Sequence, residues 1–339
     1  MTNTQPLTTQ RRPCFNTFTA VFVFWSSLLA AQSVDSTLTK AAPQFSGQIA
    51  VVKNDSLIFS YTRGWANFPL QIPLTNDHLL EIGELSSFFT REAIERLVVD
   101  KKLALDSAVA LYLPQFPYPS ITVRQLMNHS SGLPSNYLKL YHRNVYDDES
   151  IKLKDKAKNI NNADILSILK KFKPALEFTP SEKSVPCNTN DIVLAYLIEV
   201  LSMRSYDDYI NTSLSAAFQS KIVANNDIEY TPMPPRAWGH RKTDFATLTV
   251  EESLKDLGFR YEDATTGHHH IYANAENLAK YFAGKQLRFD KYPISYFGHE
   301  PGYNATLRFY KDYVIVILMN TNDDSDAALM LKEIEKRAK

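Results

Sequence analysis

Within Phe45–Asn67, "FSGQIAVVKNDSLIFSYTRGWAN", large hydrophobic residues stand two apart in two short runs. Ile49 and Val51, then Leu57, Phe59 and Tyr61, follow the period of a β-strand. Asn54–Asp55 interrupts the pattern with turn chemistry, so two strands joined by a tight turn are expected. In "LSSFFTREAIERLVVDKKL" the period lengthens to that of a helix. Phe88, Phe89, Ile94, Leu97 and Val98 gather on one side, with Arg91, Glu92, Glu95 and Arg96 expected on the other.

From about Asp106 to Asn226 the pattern is mostly helical. "TVRQLMNHSSGLP" reads as a short helix stopped by Gly132 and Pro134. "NNADILSILKKF" and "DIVLAYLIEVLS" read as longer ones. "TPMPPRAWGH", Thr231 to His240, is a Pro-rich connection, and "NAENLAKYFAGK" is a helix capped by Asn274. "ATLRFYKDYVIVILMN" reads as a hairpin turning near Lys311–Asp312. "DDSDAALMLKEIEKRAK" is a closing helix with acids at its start, where the helix dipole favours them. Strands and a helix thus bracket a helical middle and then return: an α/β (α+β) layer with a helical insertion.

Composition narrows the picture. The chain has 339 residues, 44% of them hydrophobic, enough for a substantial core. Lys+Arg and Asp+Glu both number 37, so nothing favours electrostatic capture of nucleic acid. Arg11 and Arg12 precede the uncharged stretch "PCFNTFTAVFVFWSSLLAAQS", the layout of a secretory signal peptide over residues 1–32. Its apolar heart, about Ala20 to Ala31, is shorter than the ~20 residues that span a bilayer. The expectation is therefore an exported protein, with no membrane span after signal cleavage and an anchor only if the segment is retained. Cys14 precedes that heart, and cleavage would leave Cys187 alone, so no disulfide framework is expected.

Several stretches resemble the serine β-lactamase and penicillin-binding-protein superfamily, in the branch of class C β-lactamases, D-alanyl-D-alanine carboxypeptidases and related esterases. "FSGQIAVVKND" is similar to the first strand of that fold. "EIGELSSFFT" is similar to F-x-I-G-S-x-S-K-x-F-T. "LALDSAVALYLPQFP" and "ITVRQLMNHSSGLP" match L-x-L-D-x-x-V-x-x-Y-L-P and I-T-[IV]-R-x-L-L-x-H-T-S-G-L-P. "FTPSEKSVPCNTNDIVLAYLIEVLS" and "YFGHEPGYNATLRFY" resemble F-x-P-G-E-x-x-x-Y-S-N-x-G-Y and H-x-G-x-x-P-G-F. The resemblance covers about Phe45 to Asn322 in the right order. It implies an antiparallel sheet flanked by helices within one domain, residues 40–339. The α/β part would be 40–105 with 235–339, and the inserted helical subdomain 106–234.

The resemblance also implies a chemistry. A Ser at a helix N-terminus attacks a carbonyl, a Lys one turn on activates it, and a Tyr shuttles the proton. Backbone N–H groups of the Ser and of a neighbouring strand stabilise the oxyanion. In this sequence Glu84 stands for the Ser, Ser87 for the Lys, Pro186 for the Tyr, and Tyr296 for the His or Lys of the third motif. Asn188 and Gly298 match the family. Every group that would attack or move a proton is replaced, so a catalytically degenerate member is expected. Its cleft would bind a ligand or partner, with peptidoglycan-derived peptides the class that family analogy offers. The alternative is an active hydrolase with Glu84 as base or nucleophile, assisted by Tyr296 or Asn188. No cofactor is implied.

Other constellations are weaker. The one S-x-x-K, Ser167 to Lys170, lies in a helical segment without the motif's setting. Cys187 reads as a small packed residue rather than a nucleophile. No metal site is expected. The nearest candidates are His268 and His270, which share a face in an extended segment and could be joined by His240, His299 or Glu300; loop histidines with local hydrogen bonds are the plainer reading. The stretch from Lys285 to Ser295 leaves room for little more than a turn or short strand before the third motif, which points to a reshaped cleft edge.

Overall fold

The computed structural model describes residues 35–135, 160–215, 223–224, 235–242, 247–249, 265–285, 287, 289–300, 302–321 and 324–338. The signal-peptide segment and Thr231–Pro234 of the Pro-rich connection lie outside the described residues. Contacts divide the chain into two units, Phe45–Ala327 and the terminal segments Met1–Gln44 with Ala328–Lys339.

The alternating stretch forms β1 (Gly47–Lys53) and β2 (Ser56–Arg63), an antiparallel hairpin. Asn54 and Asp55 turn it with φ of 47° and 61°, left-handed values that these two residue types tolerate. The chain continues through the short β3 (Trp65–Asn67), β4 (Ile72–Pro73) and β5 (Leu80–Glu81). A single 3₁₀ turn, Gly83–Leu85, leads into α1 (Ser86–Val99).

The helical part follows with α2 (Val109–Tyr112), α3 (Val123–Met127), α4 (Asn162–Phe172), α5 (Asn188–Ser202) and α6 (Tyr206–Tyr209). Capping boxes start α3 (Thr122 with Gln125) and α4 (Asn161 with Asp164), each satisfying backbone N–H groups that a helix start leaves open. α5 is the hub: α1, α3, α4 and α6 all pack on it, and it is apolar nearly all round. It begins four residues before the apolar run of its sequence. The added turn is polar but buried, because Thr189 donates to the Pro134 carbonyl (2.6 Å) and Asn190 accepts from Ser131 (2.5 Å).

Short strands β6 (Val223–Ala224), β7 (His240–Lys242), β8 (Thr247–Thr249) and β9 (Ile271–Ala273) then precede α7 (Ala275–Gly284). Asn274 caps α7 by accepting from the Asn277 N–H at 2.9 Å. The main sheet closes with β10 (Ile294–Glu300), β11 (Tyr303–Phe309) and β12 (Tyr313–Met319). The last helix is α8 (Asp324–Ala338). All five strands of the main sheet are antiparallel, in the order β10-β11-β12-β1-β2. β1 and β12 lie at its centre and are buried on both faces, which is why "YVIVILM" is a continuous apolar run rather than an alternating one. α7 packs across both.

No strand forms among the described residues between Lys285 and Ile294, and β10 then runs as a seven-residue strand paired to β11 from Ile294↔Phe309 to Glu300↔Tyr303. It forms one edge of the sheet, and its Gly298 end rests against the turn that starts α1.

Candidate active site

Two glycines bring that edge and the start of α1 together. Gly83 has φ of 54°, and a Cβ there would stand 2.6 Å from the His299 nitrogen. Across the gap, a Cβ on Gly298 would stand 2.0 Å from the Ile82 carbonyl oxygen. No side chain fits at either point, so the backbone of the α1 entrance lies directly on the backbone of β10.

Glu84 occupies the tip of this junction, half-buried. The His299 N–H, at the free edge of β10, donates to Glu84 Oε2 at 2.6 Å. This is the strand N–H that faces a nucleophile helix at such a site, and the carboxylate holds it by a charge-assisted bond. Ser87 turns away from that chemistry and donates to the Glu84 carbonyl at 2.8 Å. Tyr296 is wedged by its ring, 5.0 Å from Phe88 and 6.1 Å from Phe309, both edge-to-face. Burial pushes its phenol up, against a smaller opposite pull from Arg91. Pro186 is exposed, and Asn188 is the first residue of α5. The structure thus joins Glu84, Gly298 and His299 directly and lays Tyr296 over the same face of α1, with Pro186 and Asn188 at the start of the helix that packs on it.

Three groups escaped the sequence reading. Arg91 was expected on the outer face of α1, yet it is half-buried and its Nε has no hydrogen-bond partner among the described residues. It stands one turn beyond Ser87, a spacing that could have flagged it as a cation for the lysine-less site. Its charge acts on Tyr296, His129 and Asp191 together. Glu92, also expected outside, is half-buried and meets Tyr281 and Lys285. His129 uses Nδ1 to accept from the Cys187 N–H (3.3 Å), and burial, reinforced by Arg91, lowers it to about 4. It is therefore neutral at pH 7, and its 3.9 Å approach to Asp191 is not an ion pair.

Asp191 is pushed up to about 7 by burial, with Arg91 pulling the other way. The folded chain keeps a proton there that an unfolded carboxyl releases near 3.8, so its stabilising contribution is complete below that pH and lost as pH rises through about 7. Asp191→Asn mimics the protonated form at every pH. It is expected to match the wild type near pH 4 and to exceed it by roughly 2–4 kcal/mol near pH 8 in urea unfolding, a gap set by the size of the shift.

The remaining candidates sort as follows. Ser167 lies exposed on α4 and donates to the Ala163 carbonyl, so its S-x-x-K spacing belongs to the helix alone. The buried Cys187 thiol donates to the Leu133 carbonyl at 3.2 Å, and burial pushes it up, away from thiolate chemistry. His268, His269 and His270 are buried, and they do not lie in an extended segment. Their rings stack in series at 3.9 and 4.0 Å, so the residues that converge with Glu81 are His269 and His270 rather than His268 and His270. His240 is buried elsewhere, on the Phe68 N–H and Asn320. A surface pocket of about 410 Å³ is lined by Leu176–Pro180, Glu182 and Lys183 and by none of Glu84, Ser87, Pro186, Asn188, Tyr296 and Gly298. Among the described residues no helix is long and apolar enough to cross a membrane.

A strand edge set on the N-terminal turn of a helix, in an antiparallel layer with inserted helices, is the arrangement that the resemblance to the β-lactamase and penicillin-binding-protein fold implies. The chain belongs to the beta-lactamase family, whose model matches residues 37–293. It is similar to penicillin-binding protein 4* of Bacillus subtilis (strain 168), 32% identical over 199 residues, 58% of this chain and 42% of that protein. It is also similar to the D-aminopeptidase of Brucella canis, 31% identical over 164 residues, 48% of this chain and 30% of that protein. The matches thus cover less than half the length of these relatives. Among solved structures, a penicillin binding protein from Bacillus halodurans shares the fold at a TM-score of 0.69 and 18% identity, covering 89% of this chain and 99% of that one. A class C beta-lactamase does so at 0.66 and 19%, covering 89% and 94%.

Proposed function

We propose that this chain is an exported, catalytically silent member of its family that binds a ligand in the cleft without cleaving it. One observation carries the reading: the carboxylate of Glu84 sits on the His299 N–H at 2.6 Å, where a hydrolase would place a substrate's carbonyl oxygen. An anion in that position removes an oxyanion donor and repels the charge that must develop in the transition state. Loss of a single donor costs about 3–4 kcal/mol in barrier height. The activating lysine and the shuttling tyrosine are replaced as well, by Ser87 and Pro186. Peptides derived from peptidoglycan are the ligand class proposed, on the strength of relatives named for penicillin binding and D-amino acid peptidase activity. Export rests on the composition of the first 32 residues.

The test is intact-mass analysis of the purified chain after incubation with a fluorescent penicillin and with a fluorophosphonate, beside turnover of a chromogenic cephalosporin. The expected result is no adduct and no turnover. Acylation or hydrolysis by the wild type, abolished by Glu84→Gln, would instead establish the rearranged hydrolase. Calorimetry with a panel of muropeptides tests the ligand class.

A further inference from the structure

Behind the Glu84–His299 contact lies a second cluster, and the geometry points to a divalent transition-metal site, of the Zn²⁺ kind, built from Glu81, His269 and His270 with Glu300 as fourth ligand. It stands independently of the reading of the cleft. Glu81, His269 and His270 are buried, and each offers a ligand atom within 4.8 Å of the other two. His269 Nδ1 lies 3.2 Å from Glu300 Oε1, and His270 Nδ1 lies 3.7 Å from Glu81 Oε1. A tetrahedral ion with bonds of about 2.0–2.2 Å sets its ligand atoms roughly 3.3–3.6 Å apart, and the two spacings lie just outside either end of that range, within reach of a small side-chain adjustment. Two imidazoles and two carboxylates suit Zn²⁺ or Co²⁺ better than the all-oxygen cations.

The backbone is shaped for this convergence. Adjacent side chains of a strand point to opposite faces, so neighbouring histidines do not ordinarily share a ligand. Here Gly267 (φ 106°) and His270 (φ 67°) turn the chain sharply, and the rings of His269 and His270 stack on one side. A left-handed conformation at a non-glycine residue is strained and is kept where the surroundings enforce it. Thr90 of α1 helps to do so, donating to the Gly267 carbonyl at 2.6 Å.

An outer layer orients the donors, as it does at built metal sites. The His270 N–H donates to Glu81 Oε1 at 2.9 Å, and the Tyr272 hydroxyl to Glu81 Oε2 at 3.2 Å. His269 Nε2 meets the Thr265 hydroxyl at 3.2 Å; with Nε2–H donating there, Nδ1 carries the lone pair that a cation requires. Glu81, buried, and Glu300, partly buried, are two acids brought near each other, and a dication balances both. Glu81 is three residues from Glu84 and Glu300 is next to His299, so an ion here would fasten the two segments that carry the cleft's central contact.

The probe is Co²⁺, then Zn²⁺, added to the full chain after chelator treatment. The expected result is the intense visible absorption of four-coordinate Co²⁺, saturating at one equivalent and bleached by Zn²⁺. Glu81→Gln and His269→Gln should each weaken binding on the order of 100-fold or more, at least the loss seen when a mere outer-layer partner is removed. His78→Gln, in another part of the chain, should leave it unchanged. Wild type that gives only weak, non-saturating bands overturns the site, as does tight binding that survives both substitutions. Should either variant fail to fold by circular dichroism, anomalous scattering at the zinc edge from wild-type crystals decides. A peak among Glu81, His269 and His270 supports the site; a peak elsewhere, or none, leaves a hydrogen-bonded His–Glu network only.

Discussion

Glu84→Ser combined with Ser87→Lys and Pro186→Tyr is expected to make the chain react covalently with a fluorescent penicillin that the wild type does not bind covalently. Three physical changes act together. Removing the carboxylate releases the His299 N–H, which then faces the reacting carbonyl beside the backbone N–H of position 84. The introduced serine inherits the helix-entrance turn set by Gly83, so its hydroxyl lies at the strand edge without rebuilding the backbone. The introduced lysine stands one turn from Arg91, whose positive charge lowers the lysine's pKa and favours the neutral amine that can take a proton. Tyrosine at 186 completes the shuttle at the start of α5. Acylation is expected at least ~10³-fold faster than in the wild type, since one oxyanion donor alone accounts for about 10²–10³. Glu84→Ser alone is expected to label little, because a serine without its activator is a weak nucleophile. A triple variant that folds, keeps its melting temperature and still shows no adduct would mean that the scaffold has changed beyond these side chains, with Tyr296 over Phe88 the first place to look.

Local chemistry made much of the fold legible. The Asn54–Asp55 turn, the Asn161 and Asn274 caps and the unbroken apolar run of β12 each announce themselves within a few residues, because their stabilising partners are close in sequence. The family was legible too, since its segments follow one another in order and its model matches residues 37–293. What escaped depends on distant contacts. The Glu84–His299 bond joins residues 215 apart. Arg91 is half-buried among partners from other segments, His129, Asp191 and Tyr296, which no helical period shows. The convergence of His269 with His270 depends on a left-handed residue that no period-2 or period-3.6 pattern encodes. The place of β10 on the helix entrance also rests on contacts between segments far apart in sequence.

Gly298→Ala is expected to be among the most destabilising single substitutions outside the hydrophobic core. Its Cβ would stand 2.0 Å from the Ile82 carbonyl oxygen and 3.2 Å from the Glu84 nitrogen, both backbone atoms, so no side chain can rotate aside. Relief requires β10 to move off the α1 entrance, which breaks the Glu84–His299 bond and disturbs the packing of Phe88 on Tyr296. Overpacking of this kind typically costs 1–3 kcal/mol, and a clash with backbone on both sides belongs at the upper end, about 3 kcal/mol or more. Gly83→Ala meets the same wall from the other side, 2.6 Å from the His299 nitrogen, and adds ~1–2 kcal/mol for a left-handed φ. Gly284→Ala is the internal contrast: nothing lies within 4 Å of its Cβ at the end of α7, so it is expected to be neutral or to stabilise by up to ~1 kcal/mol. Urea midpoints for the three variants check the order, and equal midpoints for Gly298→Ala and wild type would refute it.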